Sequence, residues 1–243
     1  MKVKITLTLL SIFLINTTFL FAQNWDDKYL DSLTILAKQG NSEDKFNLAI
    51  YYELRNIMSD NEEVKELDNK QAFYWYLRSA EQGYAHAQNN LGVMYSNGDG
   101  TIIDKQKAFY WFKKSAEQGQ DNAQCSLGFM YYNGEGTLID INKAFYLFKK
   151  SALQGNTQSQ NKLGQMYYFG EGCLKDKNKA FYWIKKSVEQ GGTEGLYNLG
   201  LFYYRGEGTT VNKKLSAYWI KKAYENGSQY AEKFWNENEL WKY

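Results

Sequence analysis

A 36-residue repeat organises the chain and limits the folds that it can adopt. In one copy, Leu127-Gly128 precedes the turn glycines Gly134 and Gly136. The same Leu-Gly pair returns in register at Leu91-Gly92, Leu163-Gly164 and Leu199-Gly200. A fixed period of this length indicates an array of units, each of which buries its apolar face against its neighbours. We therefore expect one elongated domain.

The register predicts five repeats with a capping unit at either end. The repeats fall at residues 41–83, 84–119, 120–155, 156–191 and 192–227. An N-terminal capping half-repeat at 23–40 precedes them, and a C-terminal capping helix at 228–243 follows them. Such caps are needed because the last unit of an array would otherwise expose its apolar end to water.

The first repeat departs from the pattern by an insertion. Leu48 and Ala72 are 24 residues apart, whereas the equivalent positions of later repeats are 17 apart. The extra residues fall in the acidic stretch 59–68, which lacks a Gly-x-Gly turn. We expect this stretch to be a charged surface loop, either a solvated insertion or a functional one, because loops accept insertions at low free-energy cost.

Within a repeat, the residue spacing predicts two helices. Ala123, Leu127, Met130 and Tyr131 form the apolar stripe of a first helix. A glycine inside a helix costs about 1 kcal/mol relative to alanine, so the recurrence of Gly128 in register predicts a close approach of another helix. The second helix is rich in aromatic residues, which predicts contact with neighbours on several sides.

Turn and cap residues set the bounds of these helices. Gly134 suits a left-handed C-cap at the end of the first helix. The expected N-caps of the second helices are Asp104, Asp140, Asp176 and Asn212, whose side chains can accept hydrogen bonds from free backbone N–H groups.

The combined pattern resembles the Sel-1-like repeat, a tetratricopeptide-like unit of two antiparallel helices. It reads Ala-x-x-x-Leu-Gly-x-Met-Tyr-x-x-Gly-x-Gly, then Asp, then Ala-x-x-Trp-x-x-x-Ser/Ala-Ala-x-x-Gly, and it covers residues 41–243. The resemblance implies an all-α fold, a right-handed α-solenoid of antiparallel helix pairs. It also implies that the first helices line a concave face and that the protein is a scaffold for protein complexes.

Residues 1–22 have the composition of a secretory signal peptide. Lys2 and Lys4 precede an apolar stretch that ends at Ala22, and cleavage is expected before Gln23. An uncleaved single-helix anchor is the alternative, although the stretch is barely long enough to cross a bilayer. We expect an exported protein, periplasmic or extracellular, with no membrane span in the mature chain.

The mature chain carries almost no net charge. The sequence has 29 Lys and Arg against 27 Asp and Glu, and removal of Lys2 and Lys4 leaves 27 against 27. Without a long-range positive field, we expect no nucleic-acid partner. Paired lysines at the ends of second helices, such as Lys149-Lys150, are interpreted as solvated helix ends.

No catalytic site, metal site or cofactor is predicted. His86 is the only histidine, and no second ligand stands at metal-binding spacing from it. Cys125 and Cys173 fall about 18 Å apart along the helix direction at a rise of about 1.5 Å per residue, so two free thiols are expected. Secreted cysteine-rich Sel-1-like proteins, some associated with β-lactam binding or hydrolysis, have a similar repeat with a Cys pair in each unit. This chain lacks those pairs.

If the implied geometry holds, three register positions of the first helices line the concave face. Tyr132, Tyr168 and Tyr204 share one position and would offer apolar area and a hydrogen-bonding tip to a peptide. The flanking positions hold Asn89, Cys125, Asn161 and Tyr197, and Val93, Phe129, Gln165 and Leu201. The alternative for the tyrosines is that they merely pack on one another between repeats.

The leading hypothesis is an exported scaffold that binds a protein or peptide partner through its concave face. Two alternatives stay open at this point. One is a β-lactamase-like hydrolase of the secreted Sel-1-like type, and the other is a purely structural envelope protein.

Overall fold

The computed structural model describes residues 27–243, which form twelve α-helices and a final 3-10 turn. The bounds are α1 Asp27–Gln39, α2 Ser42–Met58, α3 Glu62–Glu81, α4 Ala85–Asn97, α5 Lys105–Glu117, α6 Asp121–Asn133, α7 Ile141–Gln154, α8 Thr157–Phe169, α9 Lys177–Glu189, α10 Leu196–Arg205, α11 Lys213–Glu225, α12 Gln229–Glu237 and the turn Leu240–Lys242. The signal peptide predicted at 1–22 lies outside the described residues. None of the helices between residues 27 and 243 is long and apolar enough to cross a membrane.

Each helix packs mainly against the helices immediately before and after it in the chain. The first helices of the repeats are α2, α4, α6, α8 and α10, and each packs on the second helix that follows it. At the ends, α1 packs on α2 and α12 packs on α11. This nearest-neighbour arrangement is a solenoid of antiparallel helix pairs, so the predicted all-α repeat fold is confirmed.

The Leu-Gly pair lies where α4, α6, α8 and α10 meet their second helices, and Leu48-Ala49 takes this place in α2. Leu91, Leu163 and Leu199 are completely buried. A Cβ added at Gly128 would lie 3.0 Å from the ring of Phe148 in α7, so only glycine allows the two helices to approach this closely. The predicted close approach is confirmed, and it explains why a helix-destabilising residue recurs in the middle of a helix.

The predicted caps are present. Asp104, Asp140, Asp176 and Asn212 each accept a hydrogen bond from a backbone N–H in the first turn of the second helix. This backbone hydrogen bond holds the pKa of Asp140 below its ordinary value. Gly134 ends α6 in the left-handed conformation, with φ of 75°. Local sequence therefore determines where the helices of each repeat begin and end.

The prediction of a charged loop at 59–68 is wrong. Only residues 59–61 lie between α2 and α3, and the other extra residues lengthen α3 to 20 residues. The side chain of Asn61 caps the longer helix by accepting two backbone N–H groups. Asp68 is fully buried and pairs with Arg55 of α2, which holds the extension against the first helix. The charges that indicated a loop belong to this helix pair.

One face of the second helices stays exposed. It carries Tyr74, Tyr110, Tyr146, Tyr182 and Tyr218. A basic side chain one helical turn later lies over the tyrosine ring. For example, Lys150 Nζ lies 4.7 Å from the ring centre of Tyr146. The helix-end lysines are exposed in three of the pairs, and Lys185 and Lys186 are half-buried. The expectation that neighbours cover these helices on several sides holds only for their other faces.

The junction between the fourth and fifth repeats is less regular than the others. α10 begins at Leu196 and has 10 residues, whereas α4, α6 and α8 have 13. Its N-cap, Gly195, makes no side-chain hydrogen bond. In α8 the equivalent of Leu196 is Gln160, which donates to the Ala152 carbonyl of the preceding repeat at 3.1 Å. Leucine cannot make this polar link between repeats.

Gly164→Ala tests the close approach. A Cβ at residue 164 would lie 2.5 Å from Ile184 Cγ1 and 3.0 Å from the Ala180 carbonyl oxygen. Overpacking costs about 1–3 kcal/mol and outweighs the gain of about 1 kcal/mol in helix propensity. We expect a lower free energy of unfolding in urea, whereas Asn142→Ala on the exposed side of α7 should cause no loss. A stabilised Gly164→Ala variant would contradict the packing described here.

Candidate binding groove along the first helices

Three cavities open between the C-terminal halves of successive first helices. Their volumes are about 230 Å³ between α2 and α4, about 220 Å³ between α4 and α6, and about 340 Å³ between α8 and α10. We call this row the first-helix groove and define it by Val93, Phe129, Gln165 and Leu201, which share one register position. The three cavities are equivalent, because residues at matching positions of successive repeats line each of them.

The structure places Val93, Phe129, Gln165 and Leu201 along this groove. Val93 lines both smaller cavities, Phe129 lines the one between α4 and α6, and Gln165 and Leu201 line the largest. These side chains differ in size and polarity from repeat to repeat, whereas the neighbouring Leu-Gly pairs do not. The helix packing is therefore constant along the chain while the chemistry of the groove changes.

Asn89, Cys125 and Asn161 are buried instead of lining the groove. They belong to the N-terminal halves of the first helices, where the next repeat lies close. The Cys125 thiol donates to Oε1 of Gln158 in α8 at 3.7 Å. Tyr197, the fourth member of this series, is partly buried and packs on the capping helix α12. These positions are therefore buried at the N-terminal halves of the first helices, whereas the cavities lie towards the C-terminal halves.

Tyr132, Tyr168 and Tyr204 connect consecutive units. Each hydroxyl donates to the next unit, namely Tyr132 to Glu171 at 3.0 Å, Tyr168 to Glu207 at 2.9 Å and Tyr204 to Asn238 at 2.9 Å. The two glutamates are the middle residues of the Gly-x-Gly turns. The hydroxyls are thus engaged with polar side chains of the next unit, whereas the packing alternative expected the tyrosines to contact one another. The ring of Tyr168 also lines the largest cavity.

A lysine at the start of a second helix strengthens this link. Lys177 of α9 forms an ion pair with Glu207 at 2.7 Å, and Lys105 of α5 forms one with Glu135 at 3.0 Å. The hydrogen bond from Lys177 holds the pKa of Glu207 below its ordinary value. The rim of the groove is therefore a fixed polar structure that spans neighbouring repeats.

Lys162 occupies the groove between α6 and α8. The third repeat has Ile141 at the position that Lys105 and Lys177 occupy in other repeats. At this junction Lys162 of α8 takes the place of that lysine, and its Nζ lies 3.5 Å from the ring centre of Tyr132. Burial lowers the pKa of this half-buried lysine. The equivalent residues that line the three cavities are shorter, namely Asn90, Ser126 and Asn198. A long side chain thus covers the place that is a cavity at those three junctions.

The prediction from sequence missed six residues that line the largest cavity, namely Phe169, Ile184, Asn198, Phe202, Arg205 and Glu207. Phe169 is 65% exposed at the end of α8, and Arg205 is exposed at the end of α10. These two residues share a register position with Asn97 and Asn133. The residue at this position changes from Asn to Phe and Arg along the repeats, and this variation could have indicated a binding position.

The reactive residue types lie outside the groove. Both cysteines are free, and burial raises the pKa of the Cys125 thiol to about 11, which keeps it protonated and unreactive. His86 is exposed near the start of α4, with its ring 5.6 Å from that of Tyr84. No group of His, Cys, Asp and Glu within residues 27–243 is arranged to hold a metal ion.

Tyr168→Phe tests whether the tyrosine hydroxyl links repeats. The substitution keeps the ring and removes the donor to Glu207, and a hydrogen bond to a charged group contributes about 1.5–3 kcal/mol, less where water reaches it. We expect a measurable fall in the urea midpoint. Tyr182→Phe, which removes a hydroxyl from the exposed row on the second helices, should leave the midpoint unchanged. Equal midpoints for the two variants would show that the link contributes nothing.

The sequence and fold of this chain are similar to those of solved repeat proteins. The chain is 28% identical to a Sel1 repeat protein from Oxalobacter formigenes, over 84% of this chain and 82% of that one, with a TM-score of 0.71. It is 30% identical to a protective antigen present in uropathogenic Escherichia coli strains that displays an SLR fold, over 83% of this chain, with a TM-score of 0.64. It spans 50% of that antigen's length. No curated protein matches the sequence significantly.

The repeat itself gives the assignment. The Sel1 repeat matches five consecutive segments, at residues 45–84, 85–120, 121–156, 157–192 and 193–228. Together these segments make up well over half of the chain. The protein therefore belongs to the Sel1 repeat family.

Proposed function

We propose that this Sel1 repeat protein is an exported scaffold whose first-helix groove, on the concave face, binds a segment of another protein. The observation that carries the proposal is the cavity of about 340 Å³ between α8 and α10. Ligand pockets have volumes of about 300–1,000 Å³ and combine apolar walls with a few polar groups. Here Phe202 and Leu201 supply apolar surface, and Gln165 and Asn198 supply polar groups.

The regular spacing of the cavities supports a peptide more than a compact small molecule. An extended segment that followed the groove would pass the junctions one after another and could place successive side chains in successive cavities. The fixed rim of Tyr, Glu and Lys residues supports this use, because a preformed surface loses little conformational entropy on binding. The variable positions would then select the side chains of the partner.

A catalytic role gains no support from the described residues. The buried, protonated thiol of Cys125 is not a nucleophile, and exposed His86 packs beside Tyr84 rather than beside a serine or cysteine. We therefore propose a non-enzymatic role in place of the β-lactam hydrolase alternative. The export part of the proposal depends on residues 1–22 alone.

A paired-variant experiment tests the groove. Val93→Asp with Phe169→Asp places two carboxylates in the groove at exposed positions, whereas Tyr110→Asp with Tyr182→Asp places them on the exposed face of the second helices. After crosslinking in intact cells of the producing organism, we expect recovery of a specific partner protein to fall at least about tenfold for the groove variant, since a buried unpaired charge costs more than 1.4 kcal/mol.

Two readouts make the result decisive. Far-ultraviolet circular dichroism should show the same helix content for both variants and the unaltered protein, because all four positions are exposed. Equal partner recovery by the two variants would overturn the groove proposal. A complete lack of any specific partner with the unaltered protein would favour the purely structural role instead.

A further inference from the structure

We infer that the cavity between α8 and α10 selects a peptide segment in which a large apolar side chain stands next to a carboxylate. The inference rests on the proposed function and gives the chemistry of the partner. It follows from the apolar wall of the cavity, from the state of Arg205 at its edge, and from the difference between this junction and the others.

The cavity has room and apolar surface for one large side chain. Phe202 and Ile184 are buried in its wall, and Phe169 stands 65% exposed at its edge. An aromatic ring that is exposed beside an apolar cavity offers contact area that no other described part of the chain covers. A phenylalanine, tyrosine, tryptophan or leucine side chain of a partner would bury both surfaces together, and such buried aromatic contacts dominate the free energy of binding at interfaces.

Arg205 supplies a cation at the same cavity. Among residues 27–243, its guanidinium makes no hydrogen bond and no ion pair, although its charge lies close enough to Glu207 and Tyr197 to favour their ionised forms. The nearby carboxylate of Glu207 is already held by the Tyr168 hydroxyl at 2.9 Å and by Lys177 at 2.7 Å. Arg205 therefore keeps its donors for another acceptor. The planar guanidinium presents two parallel N–H donors that fit a carboxylate.

Only the last cavity combines these features. At the junction of α4 and α6, the positions equivalent to Phe169 and Arg205 hold Asn97 and Asn133. At the junction of α2 and α4, the lining includes the acidic residues Glu53 and Asp99. The cavity between α8 and α10 is lined by Arg205 and by Glu207, and the charge of Glu207 is already met by Lys177. A bound segment with its carboxylate at Arg205 would keep that carboxylate away from Glu53 and Asp99 at the other end of the groove, which fixes its direction.

Selection from a phage-displayed library of random peptides on the immobilised full chain tests the inference. We expect enriched peptides to carry an aromatic or large aliphatic residue with Asp or Glu within two positions of it. The affinity of the best peptide is then measured by fluorescence anisotropy. Arg205→Gln should weaken binding about tenfold, as expected for loss of a charge-assisted hydrogen bond.

Matched variants separate the charge effect from a folding effect. Arg78→Gln makes the same change at an exposed site on α3 and should leave the affinity unchanged. Arg205→Lys keeps the charge without the planar fork and should lose less affinity than Arg205→Gln. Replacing the acidic residue of the peptide by its amide should weaken binding to the unaltered protein about tenfold, and should cause little further loss with Arg205→Gln, because both changes remove one interaction.

The outcomes distinguish this inference from the proposed function. The inference would be overturned by enriched peptides that lack an acidic residue, or by peptides that bind equally well to Arg205→Gln. If those same peptides lost binding to the double variant Val93→Asp with Phe169→Asp, the groove proposal would still stand. Enriched peptides that bind the groove double variant unchanged would overturn both. A selection without any enriched peptide would also count against both.

Discussion

In four of the five repeats, a contact between a glycine of the first helix and a large side chain of the second helix controls the packing, and Ala49 takes the place of the glycine in the first repeat. At Gly164 the helices approach so closely that even a methyl group would meet Ile184 and the Ala180 carbonyl. This contact fixes one face of the first helix against its partner. The cavities of the groove open between successive first helices, towards their C-terminal ends.

The sequence alone predicts the parts of the fold that depend on local interactions. Periodicity, the aspartate N-caps and the glycine C-caps placed the helices of the regular repeats correctly, because a cap acts within one turn of the chain. The insertion in the first repeat was misread, since acidic composition cannot distinguish a loop from a helix whose buried Asp68 pairs with Arg55. That pairing joins two helices and is invisible in a local pattern.

The groove was predicted only in part for a related reason. The register groups Val93, Phe129, Gln165 and Leu201 at one position, and in the structure these residues line the three cavities. It placed Asn89, Cys125 and Asn161 beside them because residues four apart share a helix face, but the closeness of neighbouring helices at their N-terminal halves buries those three. Contact with the next repeat decides this, and no spacing rule within one helix contains it. The cavity at Arg205 also lies between repeats, and sequence reasoning passed over it.

A division between constant packing and variable groove residues is the central claim, and site-specific photocrosslinking tests it most directly. Phe169 and Tyr182 are both exposed aromatic residues, one on the groove and one on the outer face of α9. A benzoylphenylalanine in place of each, irradiated in intact cells, reports what lies against each surface. The account predicts a discrete protein adduct from position 169 and none from position 182. Adducts from position 182 alone would contradict it.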